Sequence, residues 1–380
     1  MERSINFMII VAILFSILYL VLIFWLYDGL NKLKKRYSVF KTYKPMVSII
    51  VSARNEQNNL HALFNAILSQ SYPQELIELI IINDRSADKT ASIINEYVKQ
   101  YSFIKTINID KTKEGWAPKK WSLHLAIEKS SHDIILQTDA DCIPHPKWIE
   151  EMVKPFQQNS VGFISAPAPL TNRKSFIDNV FELDSMAQDA FSAGGIGQGV
   201  IYSCTGRNMG FLKQCFKDVN GYDGISHFIS GDDDLLLQKI ATKSNYKIEF
   251  VLSPNALVDS PPPESIDQFI HQRIRFASKS MSYYNIDTTQ SFKLTLPFLY
   301  FTNLFILFSM FKFMQTSNIV HLLPWIIKTS VDGLYMFSYY HYLHSKWSFS
   351  AYLMMGVVHP LYISVFGFLG VFTSFKWKEQ

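Results

Sequence analysis

Cysteine is scarce in this chain: Cys142, Cys204 and Cys215 are the only three in 380 residues. An odd number without C-x-x-C spacing argues against a disulfide framework and against a thiolate metal site, and it fits a reducing compartment. Cys142 reads as a small buried neighbour of Asp139 and Asp141, since no cation lies near it in sequence to activate a thiol. Charge is scarce too, at 18% against 48% hydrophobic residues, so apolar blocks must be concentrated somewhere. The net charge of +4 is small, and much of it sits in one run, Asn31-Lys32-Leu33-Lys34-Lys35-Arg36. Without a basic face across a domain, a nucleic-acid partner is not expected. His124, His132 and His145 are too scattered for the histidine-rich centre of a metal-dependent phosphohydrolase. Glycine clusters only at Gly194-Gly195-Ile196-Gly197-Gln198-Gly199. That run follows a helical pattern rather than a strand, so it is not a dinucleotide fingerprint. It reads as a flexible segment able to cover a site.

The apolar blocks lie at the two ends. Phe7 to Tyr27 carries no charge and is long enough to span a bilayer. A signal peptide would be followed by a small-residue cleavage site; the basic run follows instead. Residues 1–30 therefore read as a membrane anchor. The basic run sets the N-terminus outside and the next domain in the cytosol, and it also suits anionic lipid. Residues 291–380 read as a C-terminal membrane region with spans near Leu296–Met314, Ile319–Tyr340 and Phe349–Phe372. Lys328 and Asp332 share a helix face in the middle span. They read as a self-neutralising pair, or more pointedly as a contact for a headgroup or acceptor. Four spans would leave the C-terminus outside, whereas Lys376-Trp377-Lys378 looks cytosolic. One segment is therefore expected to lie in the interface or to re-enter. The expected location is the cell membrane, multi-pass, with residues 31–290 in the cytosol.

Between the ends, short apolar runs alternate with helical periodicity. Met46–Val51, Glu78–Ile82, Ile104–Ile109, Ile134–Leu136 and Val161–Ser165 have strand character. Helices are expected near 60–68, 87–98, 119–127 and 176–191, and an amphipathic one near 266–284. Alternation of this kind implies an α/β fold with a mostly parallel sheet, whose ligands bind beyond the carboxyl ends of the strands.

Acids fall at those ends. Asp84 closes Ile80-Ile81-Ile82-Asn83-Asp84, Asp139-Ala140-Asp141 follows Ile134–Thr138, and Gly231-Asp232-Asp233-Asp234 opens a helix-like run. Clustered carboxylates need a cation or a shared proton, which makes them candidates for a divalent-metal and general-base site. Each also has a plainer use. Asp84 can cap the segment after it, and Asp232 or Asp234 can cap a helix. Thr205–Phe211 can be a strand with close backbone approach at glycine. The helix around Gln272 can lie on a membrane surface.

Taken in order, these segments resemble the catalytic domain of family 2 inverting glycosyltransferases of the membrane-anchored, synthase-like kind, over residues 46–280. The resemblance implies a GT-A type nucleotide-sugar-binding fold and a nucleotide-diphosphate sugar donor, UDP-linked in this reading. Ser52-Ala53-Arg54-Asn55-Glu56 is similar to the opening nucleotide loop, so Arg54 and Glu56 are donor-side candidates. Asp84 matches the acid that binds the nucleotide base. Lys119 matches the lysine near the diphosphate, with Lys120 as the alternative. Asp139 and Asp141 match the Asp-x-Asp motif that holds Mg²⁺ or Mn²⁺. Asp233 matches the catalytic base. Gly206, Asn208 and Asp232 match the acceptor side. Gln272 and Arg275 match Gln-x-x-Arg-Trp, in which Phe276 replaces the Trp, keeping an aromatic face without the indole N–H. The implied partners are the donor, a lipid or glycan acceptor, and the membrane. Transfer to a lipid is favoured over processive polysaccharide synthesis. A non-catalytic nucleotide-sugar-binding partner is the rival from another class.

Overall fold

The computed structural model describes residues 2–171, 173–277 and 282–372, and for residues 2–9, 12, 282 and 370–372 the backbone alone. Lys376-Trp377-Lys378 lies outside the described residues. The chain begins α1 (Glu2–Tyr37), β1 (Val47–Ala53), α2 (Leu60–Leu68), β2 (Ile77–Asp84), α3 (Thr90–Gln100), β3 (Ile104–Ile109), α4 (Pro118–Lys129) and β4 (Ile134–Gln137). It continues with β5 (Ile143–Pro144), α5 (Trp148–Val153), β6 (Val161–Ser165), α6 (Phe176–Gly197), β7 (Met209–Leu212), α7 (Lys213–Asp218), α8 (Asp234–Lys243), β8 (Lys247–Phe250) and β9 (Val258–Asp259). Then come α9 (Ile266–Ala277), α10 (Ser282–Asn285), α11 (Gln290–Thr316), α12 (Leu323–Tyr342) and α13 (Phe349–Phe372).

Seven strands form one sheet in the order β3-β2-β1-β4-β7-β6-β8. All run parallel except β7, which is antiparallel to β4 and β6. Strand residues alternate between faces, and here both faces are covered. Ile50, Ile80, Ile82 and Ile135 join one core with Leu26, Leu123, Leu183 and Leu236. Ile49, Val51, Leu79, Ile81 and Leu136 join the other with Leu60, Phe64, Ile94 and Trp148. Burial on both sides is why these strands read as continuous apolar runs. The chain runs outward through β1, β2 and β3, then returns past β1 to β4. That reversal opens a crevice beyond the ends of β1 and β4. The tight backbone approach expected near Thr205–Phe211 occurs at Gly210 of β7, where a Cβ would come within 2.9 Å of the Ile135 carbonyl oxygen.

Three sequence expectations change. Gly194–Gly197 are the last turn of α6 and are buried, not a flexible cover. A Cβ on Gly29 would collide with the Gly194 carbonyl, and one on Gly197 with the Gly29 carbonyl, so the glycines let α1 and α6 touch backbone to backbone. The basic run, though mostly exposed, also makes contacts with protein. Lys32 donates to Gln198 (2.7 Å), Lys34 lies over the Tyr342 ring (4.9 Å), and Arg36 donates to Glu249 (2.8 Å) and to the Gly197 carbonyl (2.8 Å) at the C-terminus of α6, where a cation is favoured. The third change concerns Ile319–Tyr340, which splits into a 3₁₀ turn at Ile319–Leu322 and α12. Among the described residues the helices long and apolar enough to cross a membrane are Ile13–Tyr37, Gln290–Thr316 and Phe349–Leu369. α12 instead spends its polar groups on neighbours: Lys328 on Asp332 (2.5 Å), Asp332 on Tyr19 (2.7 Å), Tyr335 on the Ala190 carbonyl (2.7 Å) and Tyr342 on Asn31 (2.7 Å). The amphipathic helix is described as α9 and α10. α9 is seated on protein, with Phe269 stacked on Phe181 of α6 (4.3 Å) and on Tyr362 of α13 (6.0 Å).

Candidate active site

The loops after β1 and β2 are laced together by side chains. Asn55 Oδ1 accepts from the Ala87 amide (2.9 Å), Asp88 Oδ2 from the Gln57 amide (3.1 Å), and Thr90 Oγ1 from the Glu56 amide (2.8 Å). Glu56 also accepts from Asn59 (2.7 Å), and Arg54 sits half-buried beside it. Asn55 and Arg85 both take positive φ, +57° and +54°. Such backbone is uncommon outside glycine and marks loops held in one shape. Asp84 is buried at the tip of β2 and paired with Arg85 (2.8 Å).

A second group forms past β4. Lys119, in the first turn of α4, reaches Asp139 (2.9 Å) and Asp232 (3.1 Å), so one ammonium joins the second and third acidic clusters. Burial pulls its pKa down, but Asp139, Asp232 and Asp233 outweigh that and hold it well above the usual lysine value. Lys120 points elsewhere: it is fully buried and donates to three carbonyls, of Ile225, Phe228 and Ser230. Burial, then the neighbouring Asp139, pushes the Asp141 carboxyl up. Asp233 is the N-cap of α8, the place expected for Asp232 or Asp234. Its Oδ1 accepts from the Asp234 amide (2.7 Å) and its Oδ2 from the Gly206 amide (2.8 Å). Asp232 and Asp234 are buried, while Asp233 is partly exposed. Gly206 is pressed against both Asp232 and Asp233, either of which a Cβ would approach to 3.3 Å.

Arginines close the group. Arg275 faces Asp232, Asp233 and Asp139, whose charges oppose the downward pull of burial on its guanidinium. It lies over the Phe276 ring (4.9 Å). Gln272 accepts weakly from Arg273 (3.4 Å), and Arg273 is tied to Asp184 of α6 (2.8 Å) in a buried ion pair. Arg207 acts on Asp141 from one side and on Glu182 and Asp189 from the other, and donates to Ser185 (2.8 Å). Burial raises Glu182 to about 7 and Asp189 to about 6. Asn208 is not on the wall of the site. It is fully buried, donating to the Pro167 and Ala256 carbonyls (2.7 and 2.8 Å) and accepting from Trp148 (2.9 Å). Arg85, Arg207 and Arg273 were not singled out by sequence. Arg207 did carry a signal, a cation inside Thr205-Gly206-Arg207-Asn208.

No group of three His, Cys, Asp or Glu is placed to hold a metal among the described residues. The donors nonetheless suit a hard cation that also takes oxygens from a ligand. Four carboxylates, of Asp139, Asp141, Asp232 and Asp233, face three cations, Lys119, Arg207 and Arg275, leaving one formal negative charge.

Residues 48–219 match the model of glycosyl transferase family 2. The probable glycosyltransferase YdaM of Bacillus subtilis is 24% identical over 71% of this chain and 63% of its own length. The poly-beta-1,6-N-acetyl-D-glucosamine synthase of Staphylococcus epidermidis is 26% identical over 61% and 53%. The beta-monoglucosyldiacylglycerol synthase of Trichormus variabilis is 28% identical over 40% and 34%. The chain thus spans about two thirds or less of these relatives. Among solved structures, the mannosyltransferase PcManGT of Pyrobaculum calidifontis, in complex with GDP-Man and Mn²⁺, superposes with a TM-score of 0.56 at 16% identity, covering 96% of this chain and 97% of that one. Residues 48–219 are thus similar to a family 2 glycosyltransferase domain, and the chain has a GT-A-like α/β fold.

Proposed function

We propose that the chain is a membrane-bound, inverting glycosyltransferase that moves a sugar from a nucleotide-diphosphate donor to a hydroxyl of a lipid. The observation that carries the reading is the Lys119 bridge between Asp139 and Asp232, which sets the donor-side and acceptor-side acids around one charge. Asp84, with Arg54 and Glu56 in the laced loops, holds the nucleotide. Lys119, Arg275 and Gln272 face the diphosphate. Asp139 and Asp141 would hold Mg²⁺ or Mn²⁺, which when bound offsets charge on the leaving diphosphate. The acceptor hydroxyl gives its proton to the Asp233 carboxylate as its oxygen bonds to the anomeric carbon. The bond from that carbon to the diphosphate oxygen breaks, and the nucleotide diphosphate leaves with the electron pair. One displacement inverts the centre. Gly206, Asp232 and Phe276 border the acceptor, and Asn208 closes the turn that carries Gly206 by donating its backbone amide to the Thr205 carbonyl (3.2 Å).

The domain division that fits is an anchor at residues 1–30, a cytosolic catalytic domain at 31–290, and a membrane region at 291–380. A lipid acceptor is supported by the seating of α9, which carries Arg275, on α13. The test is nucleotide diphosphate release from a panel of UDP- and GDP-sugars, using membranes that contain the protein, with Mg²⁺ or Mn²⁺ and a lipid extract. Release that needs the cation and rises with the extract is expected, and it names the donor. Product growing into long polymer without lipid would replace this reading with a processive synthase.

A further inference from the structure

Resting on the transfer reading above, we infer that Lys120 and Lys239 are positioning residues that fold the stretch 219–233 around themselves and so place Asp232 and Asp233. This stretch has no helix or strand, yet it delivers the acidic cluster. Lys120 enters from α4 and donates to the carbonyls of Ile225 (2.8 Å), Phe228 (2.8 Å) and Ser230 (2.9 Å). Lys239 enters from α8 and donates to those of Asn220 (3.3 Å), Gly221 (2.8 Å) and Asp223 (2.6 Å). Both side chains are buried. Buried ammonium groups are rare, and each of these donates to three backbone oxygens.

The geometry links the two ends of the stretch to the site. Asn220, Gly221, Gly224 and Gly231 have positive φ, which turns carbonyls away from an ordinary helical or extended course. The Ala117 amide donates to the Ser226 carbonyl (2.8 Å), and the Tyr222 hydroxyl to the Asp232 carbonyl (3.3 Å). Adjacent residues of α4 thus divide the work: Lys119 binds the acids directly, and Lys120 binds the backbone that presents them.

Without the Lys120 ammonium, three carbonyls lose their donor, two of them in buried bonds, and the stretch must open to hydrate those. The test uses the full-length chain in detergent. Hydrogen exchange, followed by mass spectrometry, is expected to quicken in Lys120→Met within 219–233 and not in β1, β2 or β4. In the transfer assay, kcat is expected to fall by roughly 10²-fold, as for a misplaced catalytic group, with donor Kd unchanged. Lys239→Met acts at the other end of the stretch and should show the same pair of effects, so a failure of one variant to fold leaves the other to decide. Native exchange rates in 219–233 would overturn the inference. So would local opening with native kcat, or loss of donor binding in step with kcat. The exchange arm needs no donor, so absence of transfer by the native chain would count against the glycosyltransferase reading separately.

Discussion

Lys119 is held by two carboxylates on two different motifs, so its removal should be felt on both sides of the site. Lys119→Met is expected to weaken donor binding by roughly tenfold to a hundredfold, as for a charged hydrogen bond, measured by calorimetric titration with the nucleotide diphosphate. Glu182 makes a second test. Burial raises its pKa from the ordinary 4.5 to about 7, and the residue is 2% exposed. A carboxyl raised in the folded state contributes stability below its unfolded pKa and loses it as pH rises through the folded one. Stability should therefore fall between about pH 4.5 and 7, by about 3 kcal/mol at most from this group. Glu182→Gln should flatten that slope in a melting series. At this scale the sequence was most legible in the placement of Asp84 and Asp139, which close or follow β2 and β4, whereas Lys119 and Asp233 lie at the starts of α4 and α8. Arg207 and Arg273 were not legible, because their partners lie on α6, which sequence patterning does not place beside them. Asn208 was legible as a motif residue, but not as one committed to Trp148, Pro167 and Ala256.

The elements follow from patterns of burial. β1, β2 and β4 were readable because apolar residues fill both sheet faces. β7, running against its neighbours, was readable only as a strand with a glycine and not by direction. The glycine run of α6 was misread because glycine signals flexibility in isolation, while against α1 it permits contact that no side chain allows. Gly194→Leu should therefore destabilise the protein by about 1–3 kcal/mol or more, the usual range for overpacking, and lower the melting temperature without changing donor affinity. Glu78 ties β2 to its surroundings through Lys105 (2.5 Å), the Ser131 amide (2.8 Å) and Ser48 (2.5 Å). Burial alone would raise its pKa, but these partners outweigh it and lower it to about 2. Its contribution is present above the ordinary 4.5 and lost as pH falls toward 2. Glu78→Gln should flatten the acid limb of the stability profile and lower stability at neutral pH.

On the scale of the whole molecule, the N-terminal apolar helix and the α/β domain are one packed unit. α1 touches α6 through glycines, its basic end holds Glu249 and the α6 carbonyls, and α12 joins both. α6 in turn holds Arg273 of α9, next to the arginine that faces the acids. This route from the apolar helices to the site suits the proposed lipid acceptor. Such coupling was invisible in sequence, where the ends read as separable apolar blocks. The most direct test compares the native chain with Asp233→Asn, measuring donor binding and nucleotide diphosphate release in the same membranes. A base poised at the acceptor predicts loss of release by roughly 10²- to 10⁴-fold with donor affinity unchanged. Release at the native rate by Asp233→Asn, or none by the native chain with any donor, would contradict the account.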